Sequence, residues 1–396
     1  MKIAVVHNRY AVSGRGSGEE IMIEKISTIL RDKGHTLIPF IRSSFEIERQ
    51  LLGKTRAFFS GIYNINVEKK LFGFLKREKP DLVFVQNVYP LFSPSALVAS
   101  KKAGLPVVMR CPNYRLICPN GLLANRKNPV CEKCVTGSEI HCVLNNCESN
   151  LFKSIGYALR NYTARRFSFF KNYVDVFLVL TEFARNKLLE NGFPPEKIQV
   201  LSGLAKNINM QPSLQSKMNG TYVGFAGRVS PEKGIKIFIE AASAMPGLPF
   251  KIAGDYKSHQ SLVRDVPQNV ELMGNLDETS LNKFYSNARI IVVPSVWNEG
   301  LPGVIIEAMQ HGKPVICSNI GGLPEVVEND STGLLFYPGN SKDLVQKIQL
   351  LWDNTQMCIE MGKAGKNKAL NEYSVDAFYK RLLSAFETAI IHNSSR

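Results

Sequence analysis

The sequence has little of several features that would mark a specialised class of protein. Its 396 residues include two Trp, six His and eight Cys, and they contain no low-complexity tract and no short-period repeat. Apolar residues make up 44% of the chain and charged residues 21%. This composition excludes a disordered, a collagen-like and a disulfide-knotted chain, and the length predicts two or more domains with cores of their own.

Long apolar runs are also missing. Only four apolar residues separate Lys2 from His7, whereas the apolar region of a secretory signal peptide needs about 7–15. The N-terminus is therefore predicted to be a buried strand. No run approaches the roughly 20 apolar residues of a membrane-spanning helix. We expect a cytoplasmic protein that lies peripherally on the inner face of the plasma membrane.

Acidic side chains are too few to balance the basic ones in the first half of the chain. Residues 1–200 hold 30 basic and 16 acidic side chains, whereas residues 201–396 hold 19 and 18. The first half therefore carries a net charge of +14 and the second half +1. This excess predicts contact with something anionic: a membrane face, a phosphorylated acceptor or nucleic acid.

Strand and helix signals alternate along most of the chain. Short apolar runs that end in Gly, Pro or polar residues predict strands, and apolar residues repeated every three or four positions predict helices. The alternation predicts an α/β fold with mostly parallel, doubly wound sheets. The predicted strands are 2–7, 36–41, 81–86, 106–109, 176–180, 221–226, 250–253, 290–293 and 315–317.

A polar stretch without periodicity, which begins near Lys206, separates two such regions. The alternation restarts at Thr221. The sequence therefore predicts two Rossmann-like domains, 1–205 and 206–375, that face each other across a cleft. Ligands of such folds bind at the C-terminal ends of the strands.

The second domain begins with a motif suited to phosphate. A strand ends at Gly227, Arg228 follows, and Lys233 precedes Gly234 and the next helix. Small residues let a ligand approach the backbone, and the start of a helix presents amides to an anion. The two cations would hold a diphosphate and stabilise it as a leaving group. The alternative is a Gly-rich turn with two solvated cations.

A second motif follows the strand at 290–293, where a loop leads into a helix with proline at its start. Carboxylates in such a place accept hydrogen bonds from the hydroxyls of ribose or hexose, and the first amides suit a phosphate or a sugar. On one helix the carboxylates of Glu299 and Glu307 would lie ~12 Å apart along the axis. A glycosidase pair needs ~5–5.5 or ~6.5–9.5 Å, so recognition fits better than acid–base catalysis. The residues are Glu299, Gly300, Leu301, Pro302 and Glu307.

These segments resemble the donor-binding half of the family 4 glycosyltransferases of GT-B fold. The resemblance is carried by GFAGRVSPEKG and by EGLPGVIIEAMQHGKPVICSNIGGLPEVV. The N-terminal half is similar as well, in the glycine loop before Glu19, in NYRLICPNG, in CEKC and in LTEFARNKLLENGF. The chain thus resembles the cysteine-containing type that serves bacterial polysaccharide biosynthesis.

The resemblance implies a retaining, metal-independent transferase that needs no cofactor for catalysis. The donor is a nucleoside-diphosphate sugar, and the acceptor is a saccharide or a lipid-diphosphate-linked saccharide; nucleic acid is not an expected partner. The N-terminal domain is expected to bind the acceptor, and the last helix, about 376–396, to pack back on it. The leaving diphosphate is expected to help deprotonate the acceptor.

The resemblance also assigns roles to residues. The expected catalytic residues are Arg228 and Lys233, which contact the diphosphate, and Glu299, which contacts the donor sugar. Glu307 is expected to contact the nucleotide ribose. The expected donor-binding set is Gly16, Gly18, Gly227, Arg228, Lys233, Glu299, Gly300, Leu301, Pro302 and Glu307.

Two positions depart from the family pattern. Pro112 stands where relatives often carry a His close to the transferred sugar, and proline has no proton to move. Relatives also usually show an Asn where this chain has Val200-Leu-Ser-Gly. Three alternatives therefore stay open: a nucleotide-sugar binding protein with weak or lost transfer, an epimerase or hydrolase of the same fold, and a basic nucleic-acid scaffold.

Six of the eight cysteines lie between Cys111 and Cys147, within a predicted insertion at about 111–150. In a reducing compartment such clustering favours a metal site or reactive thiols over disulfides. The alternative is a set of reduced cysteines in a loop. A tetrahedral structural zinc would suit Cys118, Cys131, Cys134 and Cys142, with Cys147 as the alternative fourth ligand.

Cations and aromatic residues alternate between Phe152 and Lys171, and also between Arg42 and Lys79. A helix with this mixture can lie in an anionic membrane interface. The other interpretation is that its aromatic face packs on the sheet.

Overall fold

The computed structural model describes residues 1–9, 18–45, 58, 60–125, 127–205 and 220–395. It divides into two compact units, Met1–Leu201 with Tyr379–Arg396 and Ser202–Phe378. Each unit holds a six-stranded sheet whose paired strands are parallel. The predicted α/β fold class, with two doubly wound sheets, is confirmed. The predicted linker lies almost entirely outside the described residues.

The sheet of the first unit has the order β2-β1-β3-β4-β5-β6. Its central strands β3 and β4 are buried along their whole length, as expected where helices cover both faces of a parallel sheet. The register places Ile3 of β1 beside Leu37 of β2 and Leu82 of β3. The strands are β1 Lys2–Arg9, β2 Thr36–Ser43, β3 Leu82–Asn87, β4 Val107–Cys111, β5 Val176–Val179 and β6 Ile198–Val200.

Helices of the first unit connect these strands and cover the sheet. They are α1 Gly18–Asp32, α2 Ile65–Glu78, α3 Ser95–Lys102, α4 Lys133–Thr136, α5 Ile140–Leu144, α6 Leu151–Arg166, α7 Phe169–Tyr173 and α8 Glu182–Glu190, with a 3-10 turn at Pro195–Lys197. Side-chain caps define several of the N-termini: the Asn64 side chain accepts from the amide of Val67, and Thr181 does the same for Ala184.

The sheet of the second unit has the order β12-β11-β10-β7-β8-β9. Its strands are β7 Tyr222–Ala226, β8 Phe250–Ala253, β9 Val270–Gly274, β10 Ala288–Val293, β11 Val315–Ser318 and β12 Gly333–Phe336. Its helices are α9 Ile235–Ala244, α10 Glu278–Asn287, α11 Gly303–Gln310, α12 Leu323–Val326, α13 Ser341–Asp353 and α14 Thr355–Glu372, with 3-10 turns at Pro231–Lys233 and Lys257–Val263.

The last helix, α15 (Val375–Ser394), supplies its residues from Tyr379 onward to the first unit. The ring of Phe386 meets that of Phe84 in β3 edge-on, with centroids 5.3 Å apart. His35 Nε2 lies 2.8 Å from the Tyr379 hydroxyl. These contacts make the chain terminus part of the first core.

Helix α6 turns its large apolar side chains to solvent. Leu151, Phe152 and Tyr162 are 56%, 68% and 52% exposed. Small and polar residues such as Ser154 and Ala158 make up the buried face. The interpretation that its aromatic face packs on the sheet is therefore wrong for this helix. Among the helices that the structure describes, none combines the length and apolar character needed to span a membrane.

Candidate functional site

The turn after β7 is shaped by two glycines. Gly227 has a φ of 141° and Gly234 a φ of 72°, both in the region that favours glycine. A Cβ atom on Gly234 would lie 1.7 Å from the carbonyl oxygen of Pro294. Only glycine therefore lets the start of α9 approach the end of β10, and this contact brings the two predicted motifs together.

The closest contact between the motifs joins Lys233 and Glu299. The Lys233 ammonium lies 2.5 Å from Glu299 Oε1, and the Ser295 hydroxyl donates to the same oxygen at 2.8 Å. Glu299 is only 5% exposed, so its charge would be costly without this pairing. The Lys233 ammonium also lies 5.7 Å from the ring centroid of Trp297. Ser295 and Trp297 were not predicted as site residues.

Arg228 lies on the rim of the same turn. Its side chain is 62% exposed, and its guanidinium donates to Glu232 at 2.7 Å. Burial raises the pKa of Glu232, but its hydrogen bonds and the charges of Arg228 and Lys233 outweigh burial and lower the pKa below its usual value. The carboxylate therefore stays charged and holds the arginine in place at neutral pH.

A glycine loop after β11 supports Glu299 from behind. Gly321 has a φ of 58°, and a Cβ atom there would lie 2.7 Å from the carbonyl oxygen of Glu299. The amide of Gly322 donates to that carbonyl at 2.9 Å. The pair stands in the segment that carries the family resemblance, yet its positioning role was not predicted, because the contact joins two loops far apart in sequence.

The second carboxylate, Glu307, lies within α11. The sequence predicted that Pro302 is the first residue of this helix. In the structure it is the N-cap, one residue before the helix begins. His311 Nδ1 lies 2.8 Å from the carbonyl oxygen of Glu307, and the His311 ring packs against Tyr285 with centroids 5.3 Å apart. Burial and the Glu307 carboxylate hold the pKa of Tyr285 well above its usual value. These neighbours fix the helix turn that carries Glu307.

The departure at Val200-Leu-Ser-Gly has a packing consequence within the second unit. A Cβ atom on Gly203 would lie 2.5 Å from Leu301 and 2.7 Å from Ile306. Glycine at this position therefore lets the segment pack closely on the loop before α11.

The first unit has a cavity at the C-terminal ends of β3 and β4. Gln86, Arg110 and Pro112 line it, together with Asn113 and Glu19, whose side chains form a hydrogen bond of 2.8 Å. Pro112, which stands where the family pattern often has a His, thus lines this cavity. Of the two N-terminal glycines predicted to bind the donor, Gly18 begins α1, and Gly16 lies outside the described residues.

The clustered cysteines surround a second cavity of the first unit. It is lined by Cys118, Cys131, Cys134, His141, Cys142 and Cys147. Burial, and then the neighbouring thiols, raise the pKa of Cys134 to about 12, and Cys118 Sγ donates to Asn120 Oδ1 at 2.9 Å. Within the described part of the chain, no three His, Cys, Asp or Glu side chains are arranged to hold a metal ion. The predicted zinc site therefore has no support in the structure.

The fold recurs in solved structures. Anabaena HepE in complex with UDP superposes with a TM-score of 0.67 at 19% identity, covering 98% of this chain and 100% of that one. The same protein was solved with UDP-glucose. Because the identity is low, this likeness establishes the fold, which is the predicted GT-B class.

Sequence relatives match about half of the chain. An uncharacterized glycosyltransferase of Methanocaldococcus jannaschii is 31% identical over 196 residues, which cover 48% of this chain and 54% of the relative. A capsular polysaccharide biosynthesis glycosyltransferase of Staphylococcus aureus is 25% identical over 207 residues, or 50% of this chain and 53% of the relative. The chain thus spans about half the length of these curated relatives.

The family model described as glycosyl transferases group 1 matches residues 207–368. This segment contains Arg228, Lys233, Glu299 and Glu307, the residues that carry the predicted donor site. Residues 207–368 are therefore similar to the glycosyl transferases of group 1, which confirms the resemblance that the motifs predicted.

Proposed function

We propose that the protein is a retaining, metal-independent glycosyltransferase of cell-surface polysaccharide or lipopolysaccharide biosynthesis. It moves a sugar from a nucleoside-diphosphate sugar to a saccharide or lipid-diphosphate-linked acceptor. The observation that carries the proposal is the ion pair between Lys233 and the buried Glu299, at the C-terminal edge of the second sheet. The group 1 match and the capsular relative support it.

Arg228 and Lys233 hold the donor diphosphate in this mechanism. Arg228 is mostly exposed, and Glu232 fixes its guanidinium, which presents several N–H donors in a plane. Lys233 places an ammonium on the same turn, where the departing diphosphate gains negative charge. The two cations thus supply the charge stabilisation that a divalent ion supplies in other phosphate sites.

The donor sugar and the ribose meet the two carboxylates. Glu299 accepts hydrogen bonds from hydroxyls of the donor sugar. The amides of Gly300 and Leu301 donate hydrogen bonds to oxygens of that sugar. Gly227 leaves open space where a side chain would stand, so a ligand can approach the backbone. Glu307 accepts from the ribose hydroxyls.

Transfer breaks the bond between the anomeric carbon and the diphosphate oxygen and forms a bond from the same face to an acceptor oxygen. The proton of the acceptor hydroxyl passes to the leaving diphosphate. Pro112 has no proton to donate or accept, so no side chain at that position takes part. The reaction is balanced without an added base.

Helix α6 carries the surface that would contact the membrane. The exposed stripe of α6 consists of Leu151, Phe152, Ile155, Leu159 and Tyr162, which are 39% to 68% exposed. Its spacing of three or four residues places the stripe along one side of the helix, where the exposed Lys153 and Arg166 flank it. Apolar and cationic groups together suit the anionic inner leaflet. We therefore place the protein on the cytoplasmic face of the membrane as a peripheral protein.

A second candidate function follows from Pro112. A protein of this fold that binds a nucleotide sugar but transfers it slowly would keep the second-unit site and lack the histidine of its relatives. Pro112→His separates the two candidates: a large gain in transfer at unchanged donor binding favours the weak-transfer protein, and a loss or no change favours the active enzyme.

The proposal is tested by transfer of labelled sugar from a panel of nucleoside-diphosphate sugars to a membrane extract. Arg228→Ala and Glu307→Gln should each slow transfer about 100-fold or more. Arg264→Ala, which removes an exposed arginine elsewhere in the second unit, is the matched control and should not. Full-rate transfer by Arg228→Ala or Glu307→Gln would contradict the assignment of these residues to the donor site.

A further inference from the structure

The cavity at the C-terminal ends of β3 and β4 contains a buried cation. Arg110 is the fourth residue of β4 and is only 6% exposed, although it lines the cavity. Burial lowers the pKa of Arg110, whereas the charge of Glu19 raises it. An arginine nonetheless stays protonated in proteins, so the cavity holds a fixed positive charge.

A second buried arginine of the same unit shows how this fold normally pairs such a charge. The Arg160 guanidinium donates to the carbonyl oxygen of Pro119 at 3.0 Å and to Asn161, and it lies 4.0 Å from the ring centroid of Tyr89. Among the described residues, Arg110 makes neither a hydrogen bond nor an ion pair. Because burying an unpaired charge is costly, this difference needs an explanation.

Gln86, at the end of β3, is a second buried polar residue of this cavity, and its unsatisfied group is a hydrogen-bond acceptor. It is 4% exposed and lines the cavity, and its Oε1 has no hydrogen-bond partner in the described part of the chain. Buried polar atoms are nearly always paired, and the exceptions mark ligand sites among other causes. The cavity thus offers a buried donor with positive charge and a buried acceptor.

We propose that this cavity binds an anionic group of the acceptor saccharide, with the Arg110 guanidinium on the anion and Gln86 Oε1 accepting from a neighbouring hydroxyl. The inference rests on the proposed function, because it takes the ligand to be the acceptor. The cavity is lined by apolar residues together with a few polar groups, as small-molecule sites are. The C-terminal ends of parallel strands are also where doubly wound sheets bind ligands.

The other residues that line the cavity indicate which further groups the ligand carries. The Glu19 carboxylate is held by the Asn113 amide at 2.8 Å, so it is oriented and available to accept from sugar hydroxyls. Met109, Val88 and Leu116 give the cavity apolar surface. A carboxylate on a sugar ring and a phosphate on a sugar or lipid carrier share the required anionic chemistry.

Three matched ligands test the proposal: D-glucose, D-glucuronate and D-glucose 6-phosphate, which differ only at carbon 6. Each is titrated into the full chain and followed by ligand-observed NMR. We expect at least one anion to bind about tenfold or more tighter than glucose, because hydrogen bonds to charged groups are the stronger ones. The preferred anion tells whether the acceptor group is a carboxylate or a phosphate. Equal affinity for all three ligands overturns the proposal.

Variants locate the binding. Arg110→Met should abolish the anion preference and Arg110→Lys should keep part of it, whereas Arg31→Met, which removes an exposed arginine of the same unit, should keep all of it. An anion preference that survives in a folded Arg110→Met variant overturns the proposal. If Arg110→Met does not fold, Gln86→Leu replaces it and should weaken all three sugars.

One further variant tests whether the anion binds in this cavity or at the proposed donor site. Arg228→Ala should leave the anion preference intact, because it alters only the second unit. Loss of the preference in Arg228→Ala assigns the anion to the diphosphate site and overturns the proposal. The transfer assay of Arg228→Ala judges the proposed function separately, so the two failures are distinguishable.

Discussion

The C-terminal edges of the two sheets solve the problem of buried charge in different ways. In the second unit, Lys233 and Glu299 neutralise each other, and that half of the chain has a net charge of +1. In the first unit, Arg110 is buried without a hydrogen bond or ion pair among the described residues, and residues 1–200 carry +14. This difference is what we expect if the proposed donor site on the second sheet is organised before the donor binds, and if the cavity on the first sheet binds the proposed anion.

The largest expected effect comes from breaking the pair in the second unit. Lys233→Ala leaves the Glu299 carboxylate buried without its cation, so we expect transfer to fall about 100-fold or more and the free energy of unfolding to fall by about 3 kcal/mol. Sugar transfer and urea denaturation measure the two effects. Lys236→Ala is the control, because the Lys236 side chain is 81% exposed and its ammonium lies 3.9 Å from Glu240. Equal behaviour of the two variants would remove the claim of a preorganised pair.

The support behind Glu299 is the next test of preorganisation. Gly321→Ala places a methyl group 2.7 Å from the Glu299 carbonyl, so we expect a loss of about 3 kcal/mol in stability together with weaker donor binding. Gly339→Ala has a similar positive φ of 79° but open space around its Cβ, and should cost about 1 kcal/mol. Thermal denaturation and donor titration of both variants check this. Unchanged donor binding in a folded Gly321→Ala variant would show that this loop does not position the carboxylate.

A smaller effect tests the outward charge of the first unit. Phe152→Glu introduces a charge into the exposed stripe of α6, and binding to anionic lipid vesicles should fall about tenfold. Tyr337→Glu in the second unit is the matched control, since Tyr337 is 70% exposed and Phe152 68%. Vesicle co-sedimentation at two salt concentrations measures both, and higher salt should weaken binding. Equal loss in the two variants, or binding insensitive to salt, contradicts a membrane role for α6.

The smallest expected effect is a pH dependence shared by the two units. Burial lowers the pKa of His7 in the first unit and of His311 in the second. The unfolded chain then binds protons more readily than the folded chain, so stability should fall as pH drops below about 6.5. Urea denaturation at pH 7.5 and 5.5 measures the fall, and His7→Gln or His311→Gln should reduce it. An unchanged pH dependence in both variants would remove these histidines from the account.

Much of the fold was predictable because it depends on local patterns. Strand β11 was predicted to within one residue, as 315–317, because a short apolar run marks it. Strands β6, β9 and β12 were not predicted. β6 has only three residues, and β9 has Glu271 in its interior, so neither length nor an apolar run marks these two strands. Their pairing within the sheet stabilises them, which local sequence does not reveal.

The candidate site was predictable only where one motif carried it. Lys233 and Glu299 were named from two separate motifs, but their direct contact depends on the approach of Gly234 to Pro294. Ser295, Gly321 and Gln86 were not named, because their roles come from contacts between distant segments. The zinc prediction has no support in the described residues for a related reason: cysteine spacing brings thiols near one cavity but does not fix how they converge.

The most direct test of the account is calorimetric titration of UDP, GDP and ADP into the wild-type chain and into Arg228→Ala, Lys233→Ala and the control Arg264→Ala. The account predicts that at least one nucleoside diphosphate binds the wild type and Arg264→Ala equally well, and that each of the other two variants binds it about tenfold or more weakly. Undiminished binding to Arg228→Ala and Lys233→Ala would contradict the account.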